Sequence, residues 1–353
     1  MTGHTPKEEV SLMRFMRSPA PARAGVLALL LACGALAVAA CGGNDNSGGG
    51  GSSGSSSSAS GGAKKNYKMT LVAGVKGDEF YITMNCGAQA EAKKLGVTLN
   101  FQGPDQFAPD LQTPIVNAVA AKKPDAVLIA PTDTKAMFAP IKQLSDNGAK
   151  VVLVDTTLDQ PQMAVSQISS DNEGGGKLAA QTLGKLIGGS GKVLVVNVKP
   201  GISTTDARGK GFQEGAKAAG LQYVGQQFDD DDPAKAAAIV KSALARNPDL
   251  KGIFATNLFS AEGAATGIRE AGKQNQVKIV GFDAGPKQVA DLKAGTVQAL
   301  IAQKPADIGA QGVQQAYAAL TGKPTKKQIG TGFVSLTKDN LAENQAAAYK
   351  ASC

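Results

Sequence analysis

Polar and aromatic side chains stand at or just after the ends of several segments that the sequence predicts to be β-strands. They comprise three aspartates, one arginine, two amides and two aromatics, namely Asp78, Phe80, Tyr81, Asp155, Arg208, Asn257, Asp283 and Gln303. A carboxylate or an amide can hydrogen-bond two adjacent hydroxyl groups, and a guanidinium can donate to ring and hydroxyl oxygens. An aromatic face can cover the C–H side of a sugar ring. The set is therefore suited to holding a polyol and poorly suited to catalysis.

Each of these residues also has a structural explanation when it is taken alone. Asp155 and Asp283 stand where a turn or a helix N-cap favours aspartate. Their common placement after strands is what favours a binding site, because doubly wound sheets bind ligands beyond the carboxyl ends of their strands. We therefore expect these side chains to converge on one cleft.

The elements that must position this set alternate regularly from Tyr67 onward. Within one predicted helix, Ile115, Ala118 and Val119 fall on a single face at i, i+3 and i+4. Nearly continuous apolar strands between such helices indicate a parallel sheet covered on both faces. The strands are predicted at residues 69–75, 97–101, 126–130 and 150–155, and the helices at 80–94, 110–122 and 134–147.

The pattern restarts after a further β-branched run at residues 165–170. Helices are predicted at 175–187, 204–219, 233–246 and 306–320, and strands at 192–198, 222–228, 252–257, 277–283, 297–303 and 332–336. The predicted folded part, residues 66–353, is near the size limit for a single hydrophobic core, so two lobes are expected. The acidic run 229–232 is interpreted as a solvated turn and a helix N-terminus rather than a metal site.

The N-terminal segment has the pattern of a secretory leader. Basic residues up to Arg23 precede an apolar run at 25–40 that ends in small residues. The exit, Val38-Ala39-Ala40-Cys41, resembles the lipobox of bacterial lipoproteins, which implies cleavage after residue 40 and acylation of Cys41; Cys33 fits the same pattern less well. A Gly/Ser-rich stretch at 41–65 then predicts a flexible tether, and with it a location outside the cytoplasm on a lipid anchor. The alternative is an ordinary secreted protein with Cys41 buried.

Composition excludes several classes of function for the mature chain. His4 is the single histidine and lies in the leader, so Ser-His-Asp and Cys-His catalysis and His-containing metal sites are excluded. The net charge is +8 for the full chain and +6 without the predicted leader, whose four basic and two acidic residues contribute +2. The lysines are scattered and there is no tryptophan, which argues against nucleic-acid binding. If Cys41 is acylated, Cys86 and Cys353 remain to form either a disulfide or two buried thiols. We expect no cofactor and no metal.

Several short segments carry a resemblance to a known family. They are CGAQAEA at 86–92, PTD at 131–133, SDNEGG at 170–175, RGKGF at 208–212, FATN at 254–257, VGFD at 280–283 and IAQKP at 301–305. In this order and spacing, residues 66–336 resemble the sugar-binding proteins of bacterial ABC importers, of the ribose/galactose type. The resemblance implies an α/β fold of two doubly wound parallel-sheet lobes joined by a three-crossing hinge, the type I periplasmic-binding fold.

The resemblance also implies domain boundaries and ligand contacts. It assigns residues 66–169 plus 304–332 to an N-terminal lobe, 170–303 plus 333–336 to a C-terminal lobe, and 337–353 to a tail. The ligand contacts it implies are the same strand-end residues: Asp78, Phe80, Tyr81, Asp155, Arg208, Asn257, Asp283 and Gln303. Thr156 and Ala130 stand where ribose binders typically have Arg and Asn, so a pentose, a hexose or another polyol all remain open. Phe259 is a candidate for the aromatic that closes the far side.

These features together predict a monomeric, non-enzymatic binding protein. It captures a sugar between its lobes, and the closed form docks onto an ABC permease. An alternative is presentation of a ligand, such as a quorum-sensing furanose, to a chemoreceptor or sensor kinase. A helical stretch at 341–349 is expected to fold back on the N-terminal lobe and bring Cys353 to Cys86.

Overall fold

The computed structural model describes residues 66–353. The predicted leader 1–40, the acylation site at Cys41 and the tether 41–65 lie outside the described residues. Among residues 66–353 there is no helix that combines the length and the apolar character needed to cross a membrane. The described chain forms two α/β lobes, each built on a six-stranded sheet.

The first lobe forms because short apolar runs alternate with amphipathic helices. In chain order its first elements are β1 (Lys68–Val72), α1 (Glu79–Leu95), β2 (Thr98–Gln102), α2 (Pro109–Ala121), β3 (Ala126–Ile129), α3 (Phe138–Asp146), β4 (Lys150–Val154) and β5 (Ala164–Ser170). These strands pair in parallel. Strand β3 is buried at every position, as expected for a strand covered by helices on both faces.

The second lobe repeats the same alternation. Its elements are α4 (Asn172–Leu186), β6 (Lys192–Asn197), α5 (Ser203–Ala218), β7 (Gln222–Phe228), α6 (Pro233–Arg246), β8 (Leu250–Ala255), α7 (Leu258–Glu270), β9 (Lys278–Phe282), α8 (Pro286–Ala294) and β10 (Ala299–Ala302). Strands β6 to β10 are parallel. Their carboxyl ends therefore open at one edge of the sheet, where the loops of the site lie.

The chain passes between the lobes three times. It first crosses between β5 and α4, and it returns between β10 and α9 (Pro305–Leu320), which packs on α1 and β4. The last crossing separates β11 (Gln328–Thr331), which joins β5, from β12 (Val334–Thr337), which joins β10. The sheet orders are β11-β5-β4-β3-β1-β2 and β12-β10-β9-β8-β6-β7. The predicted fold class is confirmed.

The end of the chain differs from the sequence-based expectations. Strand β11 is short and partly exposed, so its sequence carries no clear strand pattern, and β12 runs antiparallel to β10. The helix expected over 341–349 is wrong: the segment consists of turns and one short 3₁₀ helix, Gln345–Ala347. A continuous helix is incompatible with the path of Tyr349, whose backbone N–H donates to Ala284 O.

Close packing of α4 on α5 fixes the position of Arg208. A Cβ added to Gly176 would lie 2.1 Å from the carbonyl oxygen of Arg208, and one added to Gly211 would lie 2.1 Å from that of Glu173. Because real Cβ atoms do not approach backbone oxygen so closely, only glycine permits this helix–helix contact. The contact holds α5 against α4 at the turn that carries the arginine.

We expect Gly176→Ala to lower the free energy of unfolding by about 1–3 kcal/mol, because the added methyl group forces the two helices apart. Sugar affinity should fall as well, since Arg208 moves with α5. Gly184→Ala in the same helix is the matched control: its nearest contact would be Leu221 Cδ1 at 3.6 Å, and alanine favours a helix by up to about 1 kcal/mol. Urea unfolding measures both; equal stability of the two variants would contradict the packing argument.

Candidate functional site

A cavity lies between the carboxyl ends of the two sheets. The strand-end residues predicted from the sequence all line it: Asp78, Phe80, Tyr81, Asp155, Arg208, Asn257, Asp283 and Gln303. The rest of the lining consists of Phe107, Val198, Ile202, Thr204, Thr205 and Asp231.

The first lobe contributes a carboxylate-rich wall. Asp78 is the N-cap of α1 and accepts a hydrogen bond from the backbone N–H of Phe80 at 2.7 Å, so one residue both caps the helix and lines the cavity. The Tyr81 hydroxyl donates to Asp155 Oδ2 at 2.7 Å. Asp155 follows β4 with φ of 64°, a left-handed backbone that is rare outside glycine and typical of functional sites. These contacts leave one oxygen of each carboxylate for a ligand.

Arg208 is the guanidinium of the second lobe and is held rigidly. Its Nε donates to Asn172 Oδ1 at 2.8 Å and its Nη1 donates to Thr256 O at 2.9 Å. The guanidinium carbon lies 3.9 Å from the ring centroid of Phe282, a cation–π stacking arrangement. Within residues 66–353, Nη2 makes no hydrogen bond, so this nitrogen is free to donate to a ligand oxygen.

Asp283 and Gln303 connect the site to the hinge. Asp283 Oδ1 accepts from Gln303 Nε2 at 2.7 Å, and Gln303 Oε1 accepts from the Ser170 hydroxyl at 2.8 Å. The Ser170 hydroxyl lies 3.2 Å from that of Thr331. Ser170, Gln303 and Thr331 stand at the three crossings, so a single hydrogen-bonded chain joins all of them to a carboxylate of the cavity. Asp283 is also left-handed, with φ of 77°.

Asn257 positions a carboxylate that the sequence-based interpretation did not place in the site. It is the N-cap of α7, accepting from Ser260 N at 3.1 Å. Its Nδ2 donates to Asp231 Oδ1 at 2.6 Å. The acidic run 229–232 is therefore not simply a solvated turn. Asp232 caps α6 as expected, whereas Asp229 is fully buried and Asp231 lines the cavity.

One buried hydroxyl in the cavity lacks a partner. Thr205 Oγ1, on the first turn of α5, is buried and makes no hydrogen bond to any of the described residues. An unsatisfied buried hydroxyl is costly. A ligand oxygen in the cavity would satisfy it.

Burial raises the pKa of the four carboxylates of the cavity, and the charge of Asp283 adds to the rise at the other three. Burial raises the pKa of Asp155 to about 6, although the Arg208 guanidinium opposes this rise. Burial likewise raises the pKa of Asp231 to about 6, opposed by Asn257 and Lys199. The pKa of Asp78 is raised well above its usual value by burial and then by the charges of Asp283 and Asp231. Burial also raises the pKa of Asp283. The closed, empty cavity therefore disfavours its own ionised form.

The lobes are closed over this cavity. Lys199 Nζ donates across the cleft to Phe107 O at 2.7 Å. Farther along the cleft, Thr134 N donates to Gly201 O at 3.0 Å and Thr157 N donates to the Ser203 hydroxyl at 2.9 Å. Opening the lobes breaks these bonds and brings water to the carboxylates.

Closure of the ligand-free protein is expected to depend on pH. In the open form the aspartates are in water with a pKa near 3.9, so closing raises their pKa and takes up protons. The closed form is therefore favoured below pH 6, and this advantage is lost as the pH rises through about 6. Between pH 8 and pH 5 the closed-to-open ratio should rise by about tenfold for each of Asp155 and Asp231.

Small-angle scattering measures this as a smaller radius of gyration at pH 5 than at pH 8 without ligand. Protein saturated with sugar at both pH values is the control and should show no change. Asp231→Asn should weaken the dependence by removing one titrating group. A radius that is unchanged, or larger at pH 5, would contradict the assignment.

Sequence reasoning missed Phe107, Asp231 and Thr205. Phe107 follows β2 and Asp231 follows β7, so the strand-end rule covers both. The predicted set does not include Phe107, and the acidic run around Asp231 favours a solvated turn instead. Phe259, the candidate for the closing aromatic, lines a neighbouring cavity with residues 229–232 and does not line this one. Phe107, which also borders the neighbouring cavity, is the aromatic that lines the candidate site.

The fold and the cavity together define a two-lobed, hinged binding protein whose closed cleft is lined by hydroxyl-binding groups. A family model described as a periplasmic binding protein domain matches residues 69–324. The chain belongs to this family, which is a family of solute-binding proteins and not an enzyme class.

Known relatives agree with this assignment. The chain is 32% identical over 255 residues to the ribose import binding protein of Escherichia coli strain K12, covering 72% of this chain and 85% of the relative. It is 31% identical over 268 residues to the D-ribose/D-allose-binding protein of Pseudomonas aeruginosa, covering 72% and 83%.

Solved structures extend the comparison. An ABC transporter solute-binding protein from Agrobacterium vitis, bound with alpha-D-tagatopyranose, superposes with a TM-score of 0.79 at 43% identity, covering 81% of this chain and 100% of that one. A second protein from Agrobacterium vitis, with bound D-fucose, gives a TM-score of 0.76 at 30% identity, covering 80% and 99%.

Proposed function

We propose that this protein captures a monosaccharide or a related polyol between its lobes and delivers it to an ABC permease outside the cytoplasm. The observation that carries the proposal is the convergence of carboxylates, amides, one guanidinium and three aromatics on one closed cavity between two hinged lobes. Relatives named as ribose and allose binding proteins, and neighbours bound with tagatopyranose and D-fucose, support a sugar as the ligand.

The mechanism is capture without chemistry. The open lobes sample closed forms, and a sugar that hydrogen-bonds both walls shifts the population to the closed form. Asp78 and Asp155 bind it from the first lobe, and Arg208, Asn257 and Asp283 bind it from the second. Phe80 and Phe107 cover its apolar face. Gln303, which is hydrogen-bonded to Asp283, connects the ligand contact of Asp283 to the hinge.

The ligand class follows from the differences from ribose binders. The Thr156 hydroxyl donates its proton to Pro131 O at 2.8 Å, Ala130 offers no side-chain hydrogen bond, and neither residue lines the cavity, so the two polar contacts expected for ribose are absent from these positions. Asp231 and Thr205 add others. We therefore place hexoses and their ketose isomers ahead of ribose, in agreement with the tagatopyranose-bound neighbour.

The predicted leader and Cys41 add a membrane anchor to this proposal. Two acyl chains on Cys41 would hold the protein stably at the membrane surface, and the tether 41–65 would let a monomer reach the permease. The alternative, presentation of a ligand to a chemoreceptor or sensor kinase, uses the same cleft, but relatives named as import proteins favour transport. A permease gene rather than a sensor gene beside this one would separate the two.

A thermal-shift panel tests the proposal. D-tagatose, D-fucose, D-allose, D-arabinose and D-ribose are each added to the purified protein. Ligand at about 100 times its Kd stabilises a protein by about 2.7 kcal/mol, which raises the melting temperature of a protein of this size by several degrees. A disaccharide, too large for the closed cavity, is the control. No shift with any monosaccharide or polyol would refute the proposed function.

A further inference from the structure

The C-terminal segment 338–353 connects one lobe to the other. It leaves β12 in the second sheet, and Tyr349 N donates to Ala284 O of the second lobe at 2.9 Å. One residue later, Lys350 N donates to the Thr83 hydroxyl of α1, in the first lobe, at 2.7 Å. The chain then ends at Cys353, which is disulfide-bonded to Cys86 of α1, with a Cα–Cα distance of 5.4 Å.

Tyr349 lies directly behind the wall of the cavity. Its side chain is 5% exposed, and its hydroxyl accepts from Gln303 N and donates to Asp283 Oδ1, both at 2.9 Å. Its ring packs edge-on against Phe80, with ring centroids 5.9 Å apart. Tyr349 therefore touches three residues that line the cavity without being among the lining residues itself.

These contacts bear on the orientation of Asp283. This aspartate has a left-handed backbone, so its position depends on surrounding contacts. The Tyr349 hydroxyl and Gln303 Nε2 both donate to Oδ1. The backbone N–H of Leu258 also interacts with this carboxylate, and a lone pair of Oδ2 remains to accept from a ligand hydroxyl. The same hydroxyl also fixes the backbone of Gln303, whose side chain continues the hydrogen-bonded chain through the three crossings.

We propose that segment 338–353 is a working part of the binding site, which places Tyr349 to orient Asp283 and Gln303 and forms, through the disulfide, a fourth and covalent connection between the lobes. The orienting role rests on the proposed function, whereas the covalent connection does not. Cys353 lies four positions after Tyr349, a reach of at most about 14 Å. The disulfide thus keeps Tyr349 close to the hinge when the lobes open, and reduction releases it.

The first test compares Tyr349→Phe with Tyr67→Phe. Tyr349→Phe removes the two buried bonds of the Tyr349 hydroxyl, whereas Tyr67→Phe removes a hydroxyl that donates to Leu320 O, away from the cavity. Titration with the panel sugar that stabilises the parent most should show about tenfold weaker binding for Tyr349→Phe and parent-like affinity for Tyr67→Phe. Parent-like affinity of Tyr349→Phe overturns the orienting role.

The second test removes the covalent connection with Cys86→Ser/Cys353→Ser. Affinity should fall about as much as in Tyr349→Phe, and combining all three substitutions should add little, because both changes act through the same hydroxyl. Effects that multiply independently overturn this coupling. The parent under reducing conditions should behave as the double-serine variant does.

A ligand-free measurement keeps this inference separate from the proposed function. Hydrogen exchange of the double-serine variant should show loss of protection at the amides of Tyr349 and Lys350, whose bonds to Ala284 of the second lobe and Thr83 of the first lobe tie the segment to both lobes. Unchanged protection overturns the fourth connection. If no sugar binds the parent, the proposed function fails, and this exchange result still decides whether the segment joins the lobes.

Discussion

Replacing Arg208 by alanine is expected to weaken sugar binding by about 2–4 kcal/mol, because a charged donor buried beside the ligand is lost and its partners are left unsatisfied. This corresponds to a Kd about 30 to 1,000 times higher. The guanidinium is 3% exposed and fixed by Asn172, Thr256 and the ring of Phe282, so no neighbouring side chain can replace it. Titration calorimetry with the sugar identified in the panel measures the loss.

Two further variants sharpen the interpretation of that result. Arg208→Lys should recover little affinity, since an ammonium group cannot reproduce the planar donor set that bonds Asn172 and Thr256. Arg246→Ala is the matched control on α6 of the same lobe, where the arginine is exposed and, among residues 66–353, hydrogen-bonds only Ser242; its affinity should equal that of the parent.

Asp283→Ala should weaken binding to a similar extent, again by about 2–4 kcal/mol. This variant also removes the acceptor that Gln303 and Tyr349 share, so a loss of hinge order is expected with it. Parent-like affinity for both Arg208→Ala and Asp283→Ala would remove these residues from the site.

Loss of the Cys86–Cys353 disulfide is expected to lower the free energy of unfolding by about 3–5 kcal/mol. The cysteines are 267 residues apart in sequence, and closing so long a loop restricts the unfolded chain strongly. Urea unfolding of the parent with and without reductant measures the effect. The double-serine variant is the control, because reductant should not change its stability.

Mass spectrometry of the unreduced parent provides the direct check. A gain of two hydrogens on reduction accompanies the expected loss of stability. Two free thiols in the unreduced protein, together with a free energy of unfolding that does not change when reductant is added, would contradict the Cys86–Cys353 disulfide.

The strand-end rule brought together residues that lie far apart in sequence because it follows from topology alone. Parallel strands open their carboxyl ends at one edge, so Asp78, Arg208 and Asp283 meet although their sequence positions give no other indication of contact. The rule does not say which strand-end residues turn inward. That is why Asp231, within a run of four aspartates, was assigned to solvent although it lines the cavity.

Other parts of the molecule depend on contacts that leave no local signal. Tyr349 lies beyond the family pattern, and its position is set by Asp283, Gln303 and a disulfide to α1. The Ala-rich stretch around it favours a helix by composition, yet tertiary contacts impose turns. Strand β11 is a short edge strand whose exposed positions hide its pairing with β5.

The unpaired Thr205 hydroxyl affects how readily the protein closes without a ligand, and therefore how much ATP an importer uses for each sugar. Burying this hydroxyl without a partner costs free energy when the cleft closes without a ligand. The four buried carboxylates add to this cost at neutral pH. We therefore expect the ligand-free protein to be mostly open at neutral pH. A permease that accepts only the closed form would rarely bind the ligand-free protein, and ATP would rarely be hydrolysed without transport of a sugar.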